Sequence, residues 1–296
     1  MGRIGARTSD PHRQFKLLNQ ALNKAYGIKE LPKGLVRASI EKFGDLISSP
    51  LVCERATNAI LRKKVDEGET NVTIEKPRAL YRIAILAYPR PIRLNLTIEG
   101  NVGNFFAASC NFQGTWRVNG HAENGLADKG YSGRIIVEGF SAELAGQNNQ
   151  AIAGSLGVHI LVKRGCMERA MGQARGGSLV TFGAGYNSGL YMSGGTLLNL
   201  GSQPGQLFGP GMVGGTIYSC QGTTAGEGAS IASLDGADYQ IIKKALGRFE
   251  DELGIESLSE LSIDNPKVWI AVANGNREEY NFNRDFVKII PDGKMS

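Results

Sequence analysis

Residues 177–183 read GSLVTFG, residues 194–201 read GGTLLNLG, and residues 214–222 read GGTIYSCQG. In each stretch one glycine or a pair opens a short apolar strand, and another glycine closes it. The unit returns about every 18–20 residues. That length is too short for two helices and a turn, and it suits one coil of a β-solenoid.

The same unit extends upstream. Closing glycines stand at Gly100, Gly120, Gly139, Gly165, Gly183, Gly201 and Gly222, and opening glycines at Gly114, Gly133, Gly177, Gly195 and Gly215. The coil between Gly139 and Gly165 is longer, and QNNQ at 147–150 is expected to bulge from it. Aligned on the opening glycine, the first strand position is polar: Thr115, Arg134, His159, Ser178, Thr196, Thr216. The second is apolar: Trp116, Ile135, Ile160, Leu179, Leu197, Ile217. Alternation of this kind sends one side chain out and the next in. Stacked coils then place each apolar residue about 4.8 Å from its counterpart. The fourth position reads Val118, Val137, Val162, then Thr181, Asn199, Ser219. Pointing inward, the last three would form a hydrogen-bonded ladder, because buried polar groups need partners.

The fold class that follows is mainly β, a right-handed parallel β-helix of about seven coils and roughly 34 Å in length. Helical segments are expected to cap it at both ends. A left-handed hexapeptide solenoid would need an aliphatic residue at every sixth position, which does not recur here. Ordered columns argue against a glycine-rich low-complexity tract.

Three regions result. Residues 1–93 form a basic, partly helical N-terminal segment, residues 94–236 the β-helix, and residues 237–296 a C-terminal helix and tail. In the first region, helices are expected over 11–26, 35–47 and from 50 to 65, stopping at Gly68. Strands are expected over Thr70–Glu75, Leu80–Ala87 and Arg93–Glu99. After Gly236, Ile241, Ile242, Ala245, Leu246, Phe249 and Leu253 make one apolar stripe that ends at Gly254. This helix is expected to cap the far end. Lys267–Ala273 and Phe286–Ile290 read as strands around a polar turn, NGNREEYNFN, forming a hairpin or an arm toward a partner.

Composition narrows the classes. No run of 18 apolar residues exists in the 296, and the opening MGRIGARTSD lacks an apolar signal core, so a cytoplasmic protein is expected. Cys53, Cys110, Cys166 and Cys220 lie far apart and make no CxxC, so buried free thiols are expected and no metal site. Residues 1–93 hold 18 Lys+Arg against 9 Asp+Glu, a net +9, and the remainder is −4, which together return +5. A basic end before a mildly acidic solenoid suits an acidic partner, a phosphorylated ligand or attraction to the solenoid itself. Aromatic residues do not interleave with the basic ones, which argues against nucleic acid.

GGTLLNLG and GPGMVGGTIYSCQG (209–222), preceded by ADKGYSGRIIVEG (127–139), resemble the GXGXG-motif domain over roughly Leu94–Gly236. That domain is the C-terminal β-helix of the glutamate synthase large subunit, found as a separate polypeptide in some organisms, archaea especially. A related β-helix forms one subunit of formylmethanofuran dehydrogenase and of the bacterial formyltransferase/hydrolase complex. The resemblance implies a scaffold packed beside catalytic units, with no catalytic group carried over. Its partners would be amidotransferase and FMN synthase subunits, or formyltransferase and amidohydrolase-like subunits. FMN and iron–sulfur clusters would then sit on those partners, and no cofactor on this chain.

The residues agree in offering little chemistry. Three histidines are present, His12, His121 and His159; His121 and His159 have no recognisable Ser, Cys or Asp partner, and each of the two reads as a surface histidine. Gly183 and Gly185 lack the third glycine of a dinucleotide loop, and no GK[ST] follows any glycine loop. Catalytic, cofactor-binding and metal residues are therefore all read as none. A stand-alone solenoid enzyme or binding protein is the reading from another class. It would need carboxylates on the outward columns, where Thr, Arg, His and Ser stand instead.

Overall fold

A computed structural model of the chain describes residues 58, 61–75, 91–149, 157–201, 206–272 and 276–293. The helices expected over 11–26 and 35–47, the strand expected over Leu80–Ala87, and Cys53 and His12 lie outside them.

The strands are β1 (Asn71–Glu75), β2 (Ile92–Arg93), β3 (Asn95–Glu99), β4 (Asn111–Val118), β5 (Ser132–Val137), β6 (Gly157–Val162), β7 (Arg175–Thr181) and β8 (Ser193–Asn199). There follow β9 (Leu207–Phe208), β10 (Gly214–Cys220), β11 (Thr224–Ala225), β12 (Ala229–Ala232), β13 (Lys267–Ala271), β14 (Arg277–Asn281) and β15 (Phe286–Pro291). Residues 61–66 form α1. Helix α2 is Gly236–Leu246, α3 Glu250–Leu253 and α4 Phe282–Asp285.

One sheet dominates, in the order β1-β3-β4-β5-β6-β7-β8-β10-β15-β12. From β1 to β10 every pairing is parallel. Leu96 faces Trp116, Trp116 faces Ile135, and the register continues through Ile160, Leu179 and Leu197 to Ile217. All seven are fully buried. The chain is thus a parallel β-solenoid, mainly β with few helices, and the second-position column is its inner wall. It makes about six turns. Strand β1 adds a rung before Leu94, and Leu61 and Val65 of α1 pack on the core at that end.

The fourth position also points inward, and Val118, Val137, Val162, Thr181, Asn199 and Ser219 are all fully buried. Asn199 Nδ2 donates to Ser219 Oγ at 3.0 Å, as a polar ladder requires. Thr181 leaves the ladder and donates to the carbonyl of Gly183 at 3.0 Å. The QNNQ expectation fails at Asn149. That residue is buried, donates to Val158 O at 2.8 Å and accepts from Val158 N at 2.8 Å.

The corners are tight turns on alternate residues. Ala108 N bonds Phe105 O and Cys110 N bonds Ala107 O, with Phe105, Ala107 and Ser109 at φ 59, 59 and 55. The next coil repeats this with Ala127 and Lys129, both at φ 56. Glycine serves a different purpose at the strand starts. A Cβ at Gly194 would lie 2.4 Å from Arg175 O, so one backbone passes directly over the next there.

The C-terminal region does not cap the end as a helix. A second apolar layer covers the outer face of the sheet. Third-position residues Ile136, Leu161, Val180, Leu198 and Tyr218 cluster with Tyr239, Ile242, Leu246, Phe249 and Leu253. Parallel strands buried on both faces have this composition. Asp235 starts α2 through a capping box, accepting from Ala237 N and Asp238 N while Asp238 accepts from Asp235 N.

The sheet edge is closed by β15, which runs antiparallel between β10 and β12. Phe286–Pro291 therefore does not pair with Lys267–Ala271. The partner of β13 is β14, which lies in the stretch expected to be a polar turn. Alternation of Val268 and Ile270, both buried, against exposed Trp269 seats that hairpin on the outer layer.

Candidate functional site

The outer layer leaves a groove where it meets the closing turns of the coils. It measures about 610 Å³ and is lined by Phe140, Arg164, Phe182, Leu200, Cys220, Tyr280 and Phe286, among others. This volume lies within the usual range for a small-molecule pocket.

Three polar groups along it are already committed. Burial, helped by the nearby Asp285 carboxylate, pushes the Cys220 thiol up to about 11. The protonated sulfur contacts the carbonyls of Gly201 at 3.3 Å and Leu200 at 3.8 Å. A thiol held protonated at neutral pH is a poor nucleophile. The Tyr280 hydroxyl donates to Glu278 Oε2 at 3.2 Å, and burial raises it above the ordinary phenol value. Asp285 accepts from Arg284 at 2.6 and 2.9 Å, and that guanidinium holds its carboxyl below the usual range. The groove can hold an apolar or planar group, and at neutral pH its Cys220 thiol and Tyr280 hydroxyl stay protonated while its Asp285 carboxyl is ionised.

A second cluster of charges fastens the outer layer to the coils. Arg117 bonds Glu138 at 2.5 Å and Glu252 at 3.2 Å, and Lys163 meets Glu138 at 2.9 Å. Arg134 reaches Glu252 at 3.5 Å and donates to Arg248 O at 2.7 Å. Glu252 is only 10 % exposed, so this network is partly desolvated and joins β4, β5 and α3. Its geometry is that of a fastening and not of a catalytic pair.

The three solenoid cysteines are separate and free, with Cys110 and Cys166 buried and Cys220 half-buried. Burial pushes the Cys166 thiol up to about 12 and raises Cys110 further. Among the described residues no three His, Cys, Asp or Glu side chains come together as a metal site.

His159 is not a surface residue as expected. It lies beneath the outer layer, with Nδ1 2.9 Å from Ser178 Oγ. Burial, with Arg248 and Lys244 nearby, lowers its pKa to about 4. His121 stays exposed, and its Nδ1 accepts from Phe140 N at 3.0 Å while the two rings stack at 5.7 Å. It acts as a rung support, as do Asn101 and Asn124, whose side-chain oxygens accept from the backbone of the next coil.

Sequence reading missed the groove, because its walls come from residues more than a hundred positions apart. No protein-family model matches the chain, and no curated protein matches its sequence. Among the described residues no helix is long and apolar enough to cross a membrane.

Proposed function

We propose that the chain is a non-catalytic β-solenoid subunit of a multisubunit enzyme, most closely a split glutamate synthase. In that role it holds a glutamine amidotransferase subunit and a flavin- and iron–sulfur-bearing synthase subunit in register. The observation that supports this is the place of the residues that carry the resemblance. GGTLLNLG and GGTIYSCQG lie on adjacent coils, β8 and β10. Their glycines sit where coil meets coil, and a Cβ at Gly214 would stand 2.3 Å from Ser193 O. The motif therefore builds a stiff wall instead of cradling a phosphate, which fits a part whose task is to hold others.

The same glycine-rich coils support a second reading, the β-helical subunit of a formylmethanofuran dehydrogenase or formyltransferase/hydrolase complex. Purification of the complex from its native source separates the two. Flavin and iron–sulfur absorbance that co-migrates with this chain supports the first, and a formyltransferase partner supports the second. Purified chain that turns over an amide, glycoside or formyl donor alone would contradict both and point to the groove as an active site.

A further inference from the structure

After each closing glycine the coils are joined by a ladder of single bridges through Val102, Ala122, Ser141, Cys166 and Ala184. Those residues point inward and are buried. The positions beside them therefore face away from the core. On three successive coils Phe140 precedes Ser141, Met167 follows Cys166 and Tyr186 lies two residues past Ala184, and the three are 50 %, 59 % and 47 % exposed. A single exposed apolar side chain is ordinary on a protein surface. Three on successive coils, each offset along the chain from the last, form a diagonal patch. The backbone holds this patch in place, since a Cβ at Gly185 would lie 2.7 Å from the carbonyl carbon of Met167.

Charges of both signs surround the patch on the same two coils. Arg164, Arg169 and Glu168 are exposed and Glu143 half-exposed. None of the four makes an ion pair among the described residues, where Arg117, Glu138 and Lys163 nearby are all paired. A partner of one sign would be repelled by half of this set. A copy of the same surface, turned about a two-fold axis, sets the cations of one against the anions of the other.

We propose that a second copy of this chain docks on this face, forming a two-fold dimer centred on Phe140, Met167 and Tyr186. The dimer lies beside the coils and not end to end, so it closes on itself, and it covers the side of the groove formed by Phe140 and Arg164. It does not depend on the identity of the larger complex.

Sedimentation velocity of the purified full chain in the micromolar range tests this. The wild type is expected to be a dimer. Met167→Lys is expected to be a monomer with an unchanged circular dichroism spectrum and melting temperature, because the side chain is exposed. Arg164→Glu with Arg169→Glu is expected to weaken the dimer by about tenfold or more. Adding Glu143→Arg and Glu168→Arg is expected to restore it. Ile231→Lys, on the sheet edge formed by β12, is expected to leave the dimer intact. A monomeric wild type overturns the proposal, including one in which another protein or the basic segment before residue 58 covers the face. A dimer that survives Met167→Lys, or a charge swap that restores nothing, overturns it equally.

Discussion

The Tyr218 hydroxyl donates to Asp238 Oδ1 at 2.8 Å, joining the outer face of β10 to the first turn of α2. The other oxygen of Asp238 accepts from Lys288 at 2.9 Å and from Asp235 N at 2.7 Å. One buried carboxylate thus ties the last parallel strand, the covering helix and the edge strand β15. Tyr218→Phe is expected to cost about 1–2 kcal/mol, because Asp238 keeps its other partners. Asp238→Ala also loses the capping box and leaves Lys288 with one partner, so about 3 kcal/mol is expected. Urea unfolding of the full chain measures both, and two equal, near-zero effects would contradict the tie.

The same tie predicts how stability depends on pH at the alkaline end. Desolvation alone would lower the Lys288 ammonium, but hydrogen bonds to Asp235 and Asp238 outweigh it and hold the pKa above the ordinary value. Burial and the Asp238 charge raise Tyr218 as well. Both groups keep a proton longer in the folded state, so their contribution is complete below the unfolded values near 10. It is lost as pH rises toward the folded values. Lys288→Met is expected to be less stable at neutral pH and to show a shallower alkaline decline. An unchanged decline would contradict the assignment.

His159 gives the opposite sign. Its pKa is lowered to about 4, chiefly by burial, so the folded state binds fewer protons than the unfolded one. Stability from neutral His159 is complete above the unfolded value near 6.5 and falls as pH drops through 4. A shift of this size corresponds to about 3 kcal/mol at most. His159→Gln is expected to flatten the unfolding free energy between pH 6.5 and 4. Thermal melts across that interval, compared with wild type, decide it.

Two backbone substitutions separate the two uses of small residues. Lys129 is exposed and sits at φ 56. Lys129→Gly removes a left-handed penalty of about 1–2 kcal/mol and adds about 0.4–1 kcal/mol of unfolded-state entropy. A net gain of about 0.5–1 kcal/mol is expected. At Gly194 the obstacle is the carbonyl of Arg175 and not φ, so Gly194→Ala is expected to cost more than about 2 kcal/mol. Melting temperatures that moved in the same direction for both would show that the corners and the rung contacts are misassigned.

The inner wall was legible in the sequence because its columns repeat locally: Ile135, Leu179 and Leu197 each follow an opening glycine at the same offset. The outer layer was also written there, but in the third position. IIV at 135–137, ILV at 160–162 and LLN at 197–199 are apolar at two adjacent residues, which is the mark of a strand covered on both sides. Reading only alternation put α2 at the end of the coils. The groove and the place of β15 were not legible, because each depends on residues far apart in sequence meeting only after the C-terminal region folds back. His159 was misplaced for the same reason, since nothing near it in sequence covers it.

The central claim, that residues about twenty apart lie on adjacent coils, is tested most directly by a disulfide across the exposed Asn rungs. Asn104 and Asn124 stand two residues past the bridged pair Val102 and Ala122, and Asn124 N donates to Asn104 Oδ1 at 3.1 Å. Stacked strands bring their Cα atoms to about 4.8 Å, within disulfide range. Asn104→Cys with Asn124→Cys is expected to give a near-complete 104–124 link under mild oxidation, seen by peptide mass mapping. Asn104→Cys with Asn119→Cys is expected to give none. Free thiols at 104 and 124, or an equal yield in the out-of-register pair, would contradict the solenoid.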